Sequence, residues 1–362
     1  MHREIIELTK ELIRFKTMHA YPEETERCLE HITGYLQAWG VPVERMEHNG
    51  IASLLVLPQA DYAPVLLMSH LDVVDGPEAM FEPVEKDGKL YGRGSIDDKY
   101  AVALSLILLK EHLQELEQAG KTYADLPFGL LITGDEEVGG FNGAGQAAQR
   151  VKTDFCLALD GGGPKNIVVK EKGILRLKLR ATGQTAHGAR PWLGENAIEK
   201  LIRDIQLLQP FFAFPDADPQ HWHRTMNLGR ISGGKAINQV PDQAEAVFDI
   251  RYTEHDDLEA LLADLQAAVS GELSVETREP LFFSGESPYL DRLLAIDPQV
   301  QSGFEHGASD IRFFSEMGIP GAVWGASGDM SAHSEEEHLV LESLKPVTAH
   351  LDTFLRQCRQ KG

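Results

Sequence analysis

The sequence predicts an α/β protein of two domains: a mixed sheet flanked by helices, interrupted by an inserted α+β unit of βαββαβ order. Short apolar runs and helical patterns follow one another as strand, loop, helix, strand, which builds a largely parallel or mixed sheet. After about Glu171 the pattern changes to strict alternation, Leu175, Leu177 and Leu179 against Arg176, Lys178 and Arg180, as in a half-exposed antiparallel strand. The chain's 362 residues are also too many for one comfortable core. We place the first domain at residues 1–172 and 283–362 and the inserted one at 173–282.

Taken in order, residues 3–16 carry Ile5, Ile6, Leu12, Ile13 and Phe15 at near-helical spacing. A second helix runs from about Glu23 to Trp39 and is stopped by Gly40-Val41-Pro42, with strands near 43–46 and 51–57. The run Val65-Leu66-Leu67-Met68 reads as a buried strand that delivers His70 and Asp72 just past its carboxyl end. Lys86-Asp87-Gly88-Lys89 reads as a hairpin turn, and Lys99 to about Gln118 as an apolar helix packed on a sheet. Residues 127–133 and 155–159 read as two more buried strands. Within the inserted unit the pattern gives a strand at 173–182, a helix near 196–208 and strands near 225–231 and 244–252. A helix near 258–269 and a strand near 274–279 complete it, and Ile311–Phe314 and Ala322–Trp324 resume the apolar style of the first domain.

The formal net charge is −22, which argues against nucleic acid or an anionic membrane as partner. The three cysteines, Cys28, Cys156 and Cys358, form no CxxC pair, so neither a disulfide framework nor a cysteine metal site is indicated. Met1-His2-Arg3-Glu4 reads as a helix start rather than a signal peptide, and no apolar run reaches membrane-spanning length. The expectation is a cytoplasmic protein.

Chemistry concentrates where apolar strands end in acid or imidazole: Ser69-His70-Leu71-Asp72, Gly134-Asp135-Glu136-Glu137 and Leu159-Asp160. Period two puts His70 and Asp72 on the same side of an extended chain. In open α/β sheets this edge is where ligands bind. Gly92-Arg93-Gly94-Ser95-Ile96-Asp97-Asp98-Lys99 adds a tight turn, and Ser331-Ala332-His333-Ser334 a late histidine. Each has a plainer reading: Asp98 as a helix cap, the three acids 135–137 as a solvated loop, Gly92–Gly94 as a phosphate loop of the wrong spacing. Together they supply two histidines and at least three carboxylates, ligands suited to zinc, cobalt or manganese.

These motifs, in this order, resemble the M20 family of co-catalytic zinc peptidases and deacylases, and the resemblance covers nearly the whole chain. It implies a zinc-peptidase-like domain carrying an inserted lid and dimerisation domain. It implies that His70, Asp97 and Asp160 bind one metal ion and Asp97, Glu137 and His333 the other, with Asp97 bridging and the Asp97–Asp98 bond cis. The ions would be zinc, with cobalt or manganese as alternatives. Glu136 would be the general base toward a metal-activated water, and Asp72 would orient His70. A carboxylate between Asp135 and Glu137 is expected to have a raised pKa from its like-charged neighbours. In the inserted domain, His187 matches the histidine that reaches the partner subunit's active site to stabilise an oxyanion, which implies a homodimer. Asn238 and Arg251 match residues that grip a substrate carboxylate, and Gly307 and Ser309 match a pocket loop; for Arg251 a structural salt bridge is the alternative.

The implied activity is hydrolysis of a peptide or N-acyl amide bond in a small carboxylate-bearing substrate. The alternatives are an N-acyl-amino-acid deacylase rather than a peptidase, or a non-catalytic metal- or ligand-binding homologue. Asp160, where many deacylases carry glutamate, leans toward the aminopeptidase and dipeptidase branch. Tyr100 stands where glycine often follows the lysine, and His338 is a rival ligand to His333.

Overall fold

The computed structural model describes residues 1–213 and 220–359. In chain order the elements begin with helices α1 (His2–Ile13) and α2 (Pro22–Ala38) and strands β1 (Glu44–His48), β2 (Ile51–Val56), β3 (Tyr62–His70), β4 (Val84–Lys86) and β5 (Lys89–Tyr91). Then come α3 (Lys99–Gln118), β6 (Phe128–Thr133), α4 (Ala144–Ala148), β7 (Lys152–Ala158) and β8 (Asn166–Glu171). Next are β9 (Gly173–Thr182), α5 (Ala197–Leu208), β10 (Thr225–Gly233), β11 (Gln243–Tyr252), α6 (Leu258–Ala268) and β12 (Glu272–Glu279). The chain closes with β13 (Phe282–Phe283), α7 (Pro288–Ala295), β14 (Gln301–Glu305), α8 (Ile311–Glu316), β15 (Gly321–Val323), β16 (His338–Val340) and α9 (Leu341–Arg359).

Two compact units divide the chain: Met1–Lys170, Phe282–Glu305 and Ser309–Gly362 form one, Glu171–Leu281 and His306–Ala308 the other. The first holds a mixed sheet in the order β1-β2-β6-β3-β7-β15-β8-β13, with β14 paired to β8. Strand β3 lies at its centre, parallel to both β6 and β7. Its side chains alternate between two cores: Val65 and Leu67 face the cluster that includes residues of α1, α2, α3 and α9, while Leu66 and Met68 face the cluster that includes α4 and α8. Strand β7 does the same, with Phe155 and Leu157 on one side and Cys156 and Ala158 on the other. Burial on both faces is why these strands read as unbroken apolar runs rather than as alternation.

In the second unit β10-β11-β9-β12 form an antiparallel sheet, and the element order is βαββαβ. Leu175, Leu177, Leu179 and Ala181 of β9 are buried against α5 and α6, with Arg176 and Arg180 exposed on the other face. Asn196 caps α5 by accepting from the Ile198 and Glu199 amides, and Asp257 caps α6 in the same way.

Several features depart from the sequence reading. His70 is the last residue of β3 rather than a residue beyond it, so only Asp72 lies past the strand end. The segment at Ile311 is a short helix. Helices α7 and α9 and strand β8 carry no mark in the reading above; α9 contains Pro346, a residue that ordinarily argues against a helix interior.

Candidate active site

Because β3, β6 and β7 are adjacent and parallel, their carboxyl ends meet at one edge of the first unit's sheet. That edge receives His70 from β3, the 134–137 segment after β6 and Asp160 after β7. Asp97 arrives on the loop entering α3, across a cis Asp97–Asp98 bond, and His333 on the loop before β16, with a left-handed φ of 63°. The turn before Asp97 needs glycine at 94: φ is +82°, and a Cβ would lie 2.8 Å from Lys99 Cδ.

Asp97 faces both histidines. Its Oδ1 is 2.9 Å from His70 Nε2 and its Oδ2 is 2.9 Å from His333 Nε2. His70 Nε2 is also 3.7 Å from Asp160 Oδ2, and His333 Nε2 is 3.1 Å from Glu137 Oε2. Two groups able to hold a metal ion result: His70, Glu136 and Asp160, and Asp97, Glu137 and His333, with the donor atoms of each within 4.8 Å of one another. Glu136 thus joins the first group, where the sequence reading has Asp97 alone completing it.

The side chains behind these donors are fixed by hydrogen bonds. His70 Nδ1 is 3.1 Å from the backbone carbonyl of Asp72 and 3.6 Å from its carboxylate, so the carbonyl is its nearer partner. A ring donating from Nδ1 leaves Nε2 as the ligating atom. The Asp72 carboxylate accepts from the Glu136 and Glu137 amides at 3.2 and 3.0 Å, and so holds the acidic turn itself. Asp98 occupies the N-cap position of α3 but makes no side-chain cap; its carboxylate accepts from the His70 amide at 3.3 Å. The capping reading of Asp98 is therefore set aside. Asp135 turns away and accepts from the Asn142 amide at 2.9 Å. His338 is also set aside as a ligand: its Nδ1 is 2.7 Å from the Glu336 carbonyl and its Nε2 3.2 Å from Asp329.

The electrostatics show an excess of buried acid. Burial pushes the Glu136 carboxyl well above its ordinary range, with Asp310, Asp160 and Asp97 adding to the effect and His70 opposing it. The like charges therefore come from across the site, not from Asp135 and Glu137 as the sequence order suggests. Burial and then Asp97 push Asp160 up to about 7. For His70, burial acts downward, but the carboxylates of Asp72 and Asp97 carry the imidazole well above its usual value. Hydrogen bonding to Asp97 and Glu137 raises His333 to about 10. Four carboxylates and two imidazoles converging in one place call for cationic compensation. His70 Nε2 is buried and lies 2.9 Å from Asp97 Oδ1 without the alignment of a hydrogen bond. Mixed carboxylate and imidazole donors around such an atom fit two divalent ions.

Three supporting groups escape sequence reasoning. Arg93 and Glu337 form a buried ion pair, and Glu337 also accepts from the Gly94 amide at 2.8 Å. The Tyr100 hydroxyl is fully buried, donates to the Leu159 carbonyl at 2.6 Å and accepts from the Ala326 amide at 2.9 Å. Asp310 is buried, and burial raises its carboxyl to about 7. Gly140 must lack a side chain beside it, since a Cβ there would meet Asp310 Oδ1 at 1.8 Å. Glycine 140 after a strand end is the one sequence signal that could have pointed there.

The remaining candidates separate by unit. Ser309 is buried in the first; Gly307, His187, Asn238 and Arg251 belong to the second. His187 sits beside the 238–239 segment, with a bridge to Gln239 and a 2.7 Å bond from the Gly188 amide to the Asn238 carbonyl. His187 Nδ1 accepts from the Ala189 amide at 3.0 Å, which leaves Nε2 as the proton-bearing nitrogen of the neutral ring. Arg251 is in an ion pair, Nε to Asp249 Oδ1 at 2.7 Å, which is the structural alternative considered for it.

A mixed-sheet edge with two adjacent carboxylate–imidazole groups defines the class as an α/β protein with a candidate dinuclear metal centre. The chain belongs to peptidase family M20/M25/M40, whose pattern matches residues 66–357. It is 27% identical to acetylornithine deacetylase of Proteus mirabilis, over 94% of this chain and 93% of that one. It is 31% identical to a probable carboxypeptidase of Aspergillus clavatus over 56% of this chain. The match spans only 49% of that carboxypeptidase, about half its length. The fold is shared with a tripeptidase from Staphylococcus aureus, at a TM-score of 0.77 and 20% identity over 100% of this chain and 99% of that one. It is also shared with the aminopeptidase PepT of Bacillus cereus, at a TM-score of 0.74 and 20% identity over the same shares of each chain.

Proposed function

We propose that the protein is a dinuclear-metal hydrolase of a peptide or N-acyl amide bond in a small substrate bearing a free carboxylate. The observation that carries this is the position of Asp97, one oxygen 2.9 Å from each of two histidines that belong to separate ligand groups. His70, Asp160 and Asp97 would hold one ion, and Asp97, Glu137 and His333 the other, with zinc the first candidate and cobalt or manganese next. Two such ions supply Lewis acidity to the scissile carbonyl and lower the pKa of the attacking water.

Glu136 is the general base: burial and like charges raise its proton affinity, which suits accepting a proton from water and returning it to the leaving amine. Asp72 positions it through the Glu136 and Glu137 amides. His187, as a neutral ring with the proton on Nε2, would donate to the developing oxyanion, acting across a homodimer formed through the second unit. Asn238, Gly307 and Ser309 would contact substrate, and Arg251 would do so only on release from Asp249. No helix among the described residues is long and apolar enough to cross a membrane.

The deacylase reading is favoured by one observation, the near full-length similarity to a protein named acetylornithine deacetylase. A non-catalytic homologue would have no need of Glu136 beside the ligands. The deciding experiment is a panel of dipeptides, tripeptides and N-acyl amino acids assayed with zinc, cobalt or manganese. Hydrolysis of any member supports the proposal, and two bound ions with no turnover of any member would contradict it.

A further inference from the structure

A cleft of about 990 Å³ opens beside the candidate metal centre, entirely within the first unit. Asp72, Glu137 and His333 of the candidate site line it, together with Glu26 and Arg45. Its side walls include Met18, Leu29, Ile51, Val73 and Val74. The wall is pinned in place, since the Val73 amide donates to the Thr17 carbonyl at 3.1 Å and the Thr17 hydroxyl donates to the Leu71 carbonyl. At Gly134 the sheet edge stays low: a Cβ there would be 3.0 Å from the Ala52 carbonyl and 3.7 Å from Thr25 Cγ2.

Size and charge together limit what this space can take. Pockets for whole small molecules run to roughly 300–1,000 Å³. An acetyl group, with three heavy atoms, needs no more than a few water volumes of about 30 Å³ each. Among the described residues Arg45 is the only arginine or lysine lining the cleft, and it is already engaged. Its two terminal nitrogens lie 2.6 and 2.7 Å from the two oxygens of Glu26, and Glu47 is 3.4 Å away. Asp75 adds an exposed carboxylate at the same cleft. Among the described residues no unengaged lysine or arginine lines the cleft, where His19 and His333 contribute imidazoles, so the carboxylate-bearing flank of the substrate does not belong in it.

We propose that this cleft receives the acyl or aminoacyl flank of the scissile bond. It selects a group much larger than acetyl, apolar or amine-bearing, and disfavours an anionic acyl group. Thr25, Glu26, Arg45 and Glu47 are then specificity-determining residues. This rests on the hydrolase reading above and sharpens it toward an aminoacyl substrate.

The test keeps the leaving residue constant and compares acetyl-alanine, succinyl-alanine and leucyl-alanine with the metal-loaded full chain. Leucyl-alanine is expected to exceed acetyl-alanine at least tenfold in kcat/KM, with succinyl-alanine the poorest. Filling the cleft with Thr25→Phe is expected to lower the leucyl-to-acetyl ratio at least tenfold. The pair Glu26→Gln with Glu47→Gln frees Arg45 and is expected to raise the succinyl-to-leucyl ratio at least tenfold. A preference for acetyl-alanine, or ratios unmoved in both variants, overturns the cleft assignment while leaving the hydrolase reading intact. Hydrolysis of none of the three by the wild type overturns the assignment, and silence across the wider panel of peptides removes the hydrolase reading as well.

Discussion

Arg93 and Glu337, 244 residues apart, form an ion pair in which both side chains are buried. Glu337 accepts from the Gly94 and Ile96 amides at 2.8 and 3.4 Å, and Arg93 donates to the Asp75 carbonyl at 3.2 Å. The pair therefore joins the loop carrying Asp97, the loop after His70 and the segment after His333. The candidate ligands come from distant parts of the chain, and this contact is what holds three of their loops in register.

Removing one partner strands the other. Glu337→Gln is expected to cost about 3–5 kcal/mol, the range for breaking a buried pair. Urea unfolding reads the stability, and calorimetric metal titration should show weakened binding alongside it. A variant as stable as the wild type would mean the pair is not holding the loops.

Glu136→Gln keeps the shape of the side chain and removes the base. Turnover is expected to fall by about 100-fold or more, the usual scale for general-base loss. Metal content measured by mass spectrometry should stay at the wild-type value. Loss of an ion in parallel would make Glu136 a ligand of the His70 group instead.

Proton competition sets the pH dependence of metal binding. Without metal, His333 is raised to about 10 and Asp160 to about 7, so at neutral pH His333 is protonated and Asp160 partly so. Both must lose protons to become ligands, so affinity rises with pH and falls as the solution is acidified. Calorimetry in buffers of different ionisation enthalpy should show net proton release at pH 7. Proton uptake, or none exchanged, would contradict the ligand set.

Tyr100→Phe removes a hydroxyl that satisfies the Leu159 carbonyl and the Ala326 amide at once. Leaving these buried groups unpaired is expected to cost about 1–3 kcal/mol, read as a lowered urea midpoint. Because Leu159 precedes Asp160, zinc affinity should drop in the same variant. Unchanged stability would show that the two groups find other partners.

Much of the fold was legible because β3, β6 and β7 are buried on both faces and so appear as plain apolar runs. The alternation of 173–182 marked the second unit just as directly. His70, Glu137 and Asp160 stood out because each lies at or just past the end of an apolar strand, and Asp97 because it follows a tight glycine turn; His333 was a late histidine that only the family resemblance grouped with them. What could not be read depends on contacts far apart in sequence. Glu337 is the last of three consecutive glutamates and looks solvated, yet its side chain is fully buried. Asp310 gives no local sign that it faces Glu136, and Pro346 hides α9. The nearer partner of His70 Nδ1 proved to be a backbone carbonyl, which residue identity does not encode.

The proposed function requires two ions that would share Asp97. Zinc content per chain after gel filtration, compared between wild type and Asp97→Ala, tests it most directly. Two ions per wild-type chain are expected, with loss of tight binding at both positions in the variant. One ion or none in the wild type, or two retained after Asp97→Ala, would contradict it.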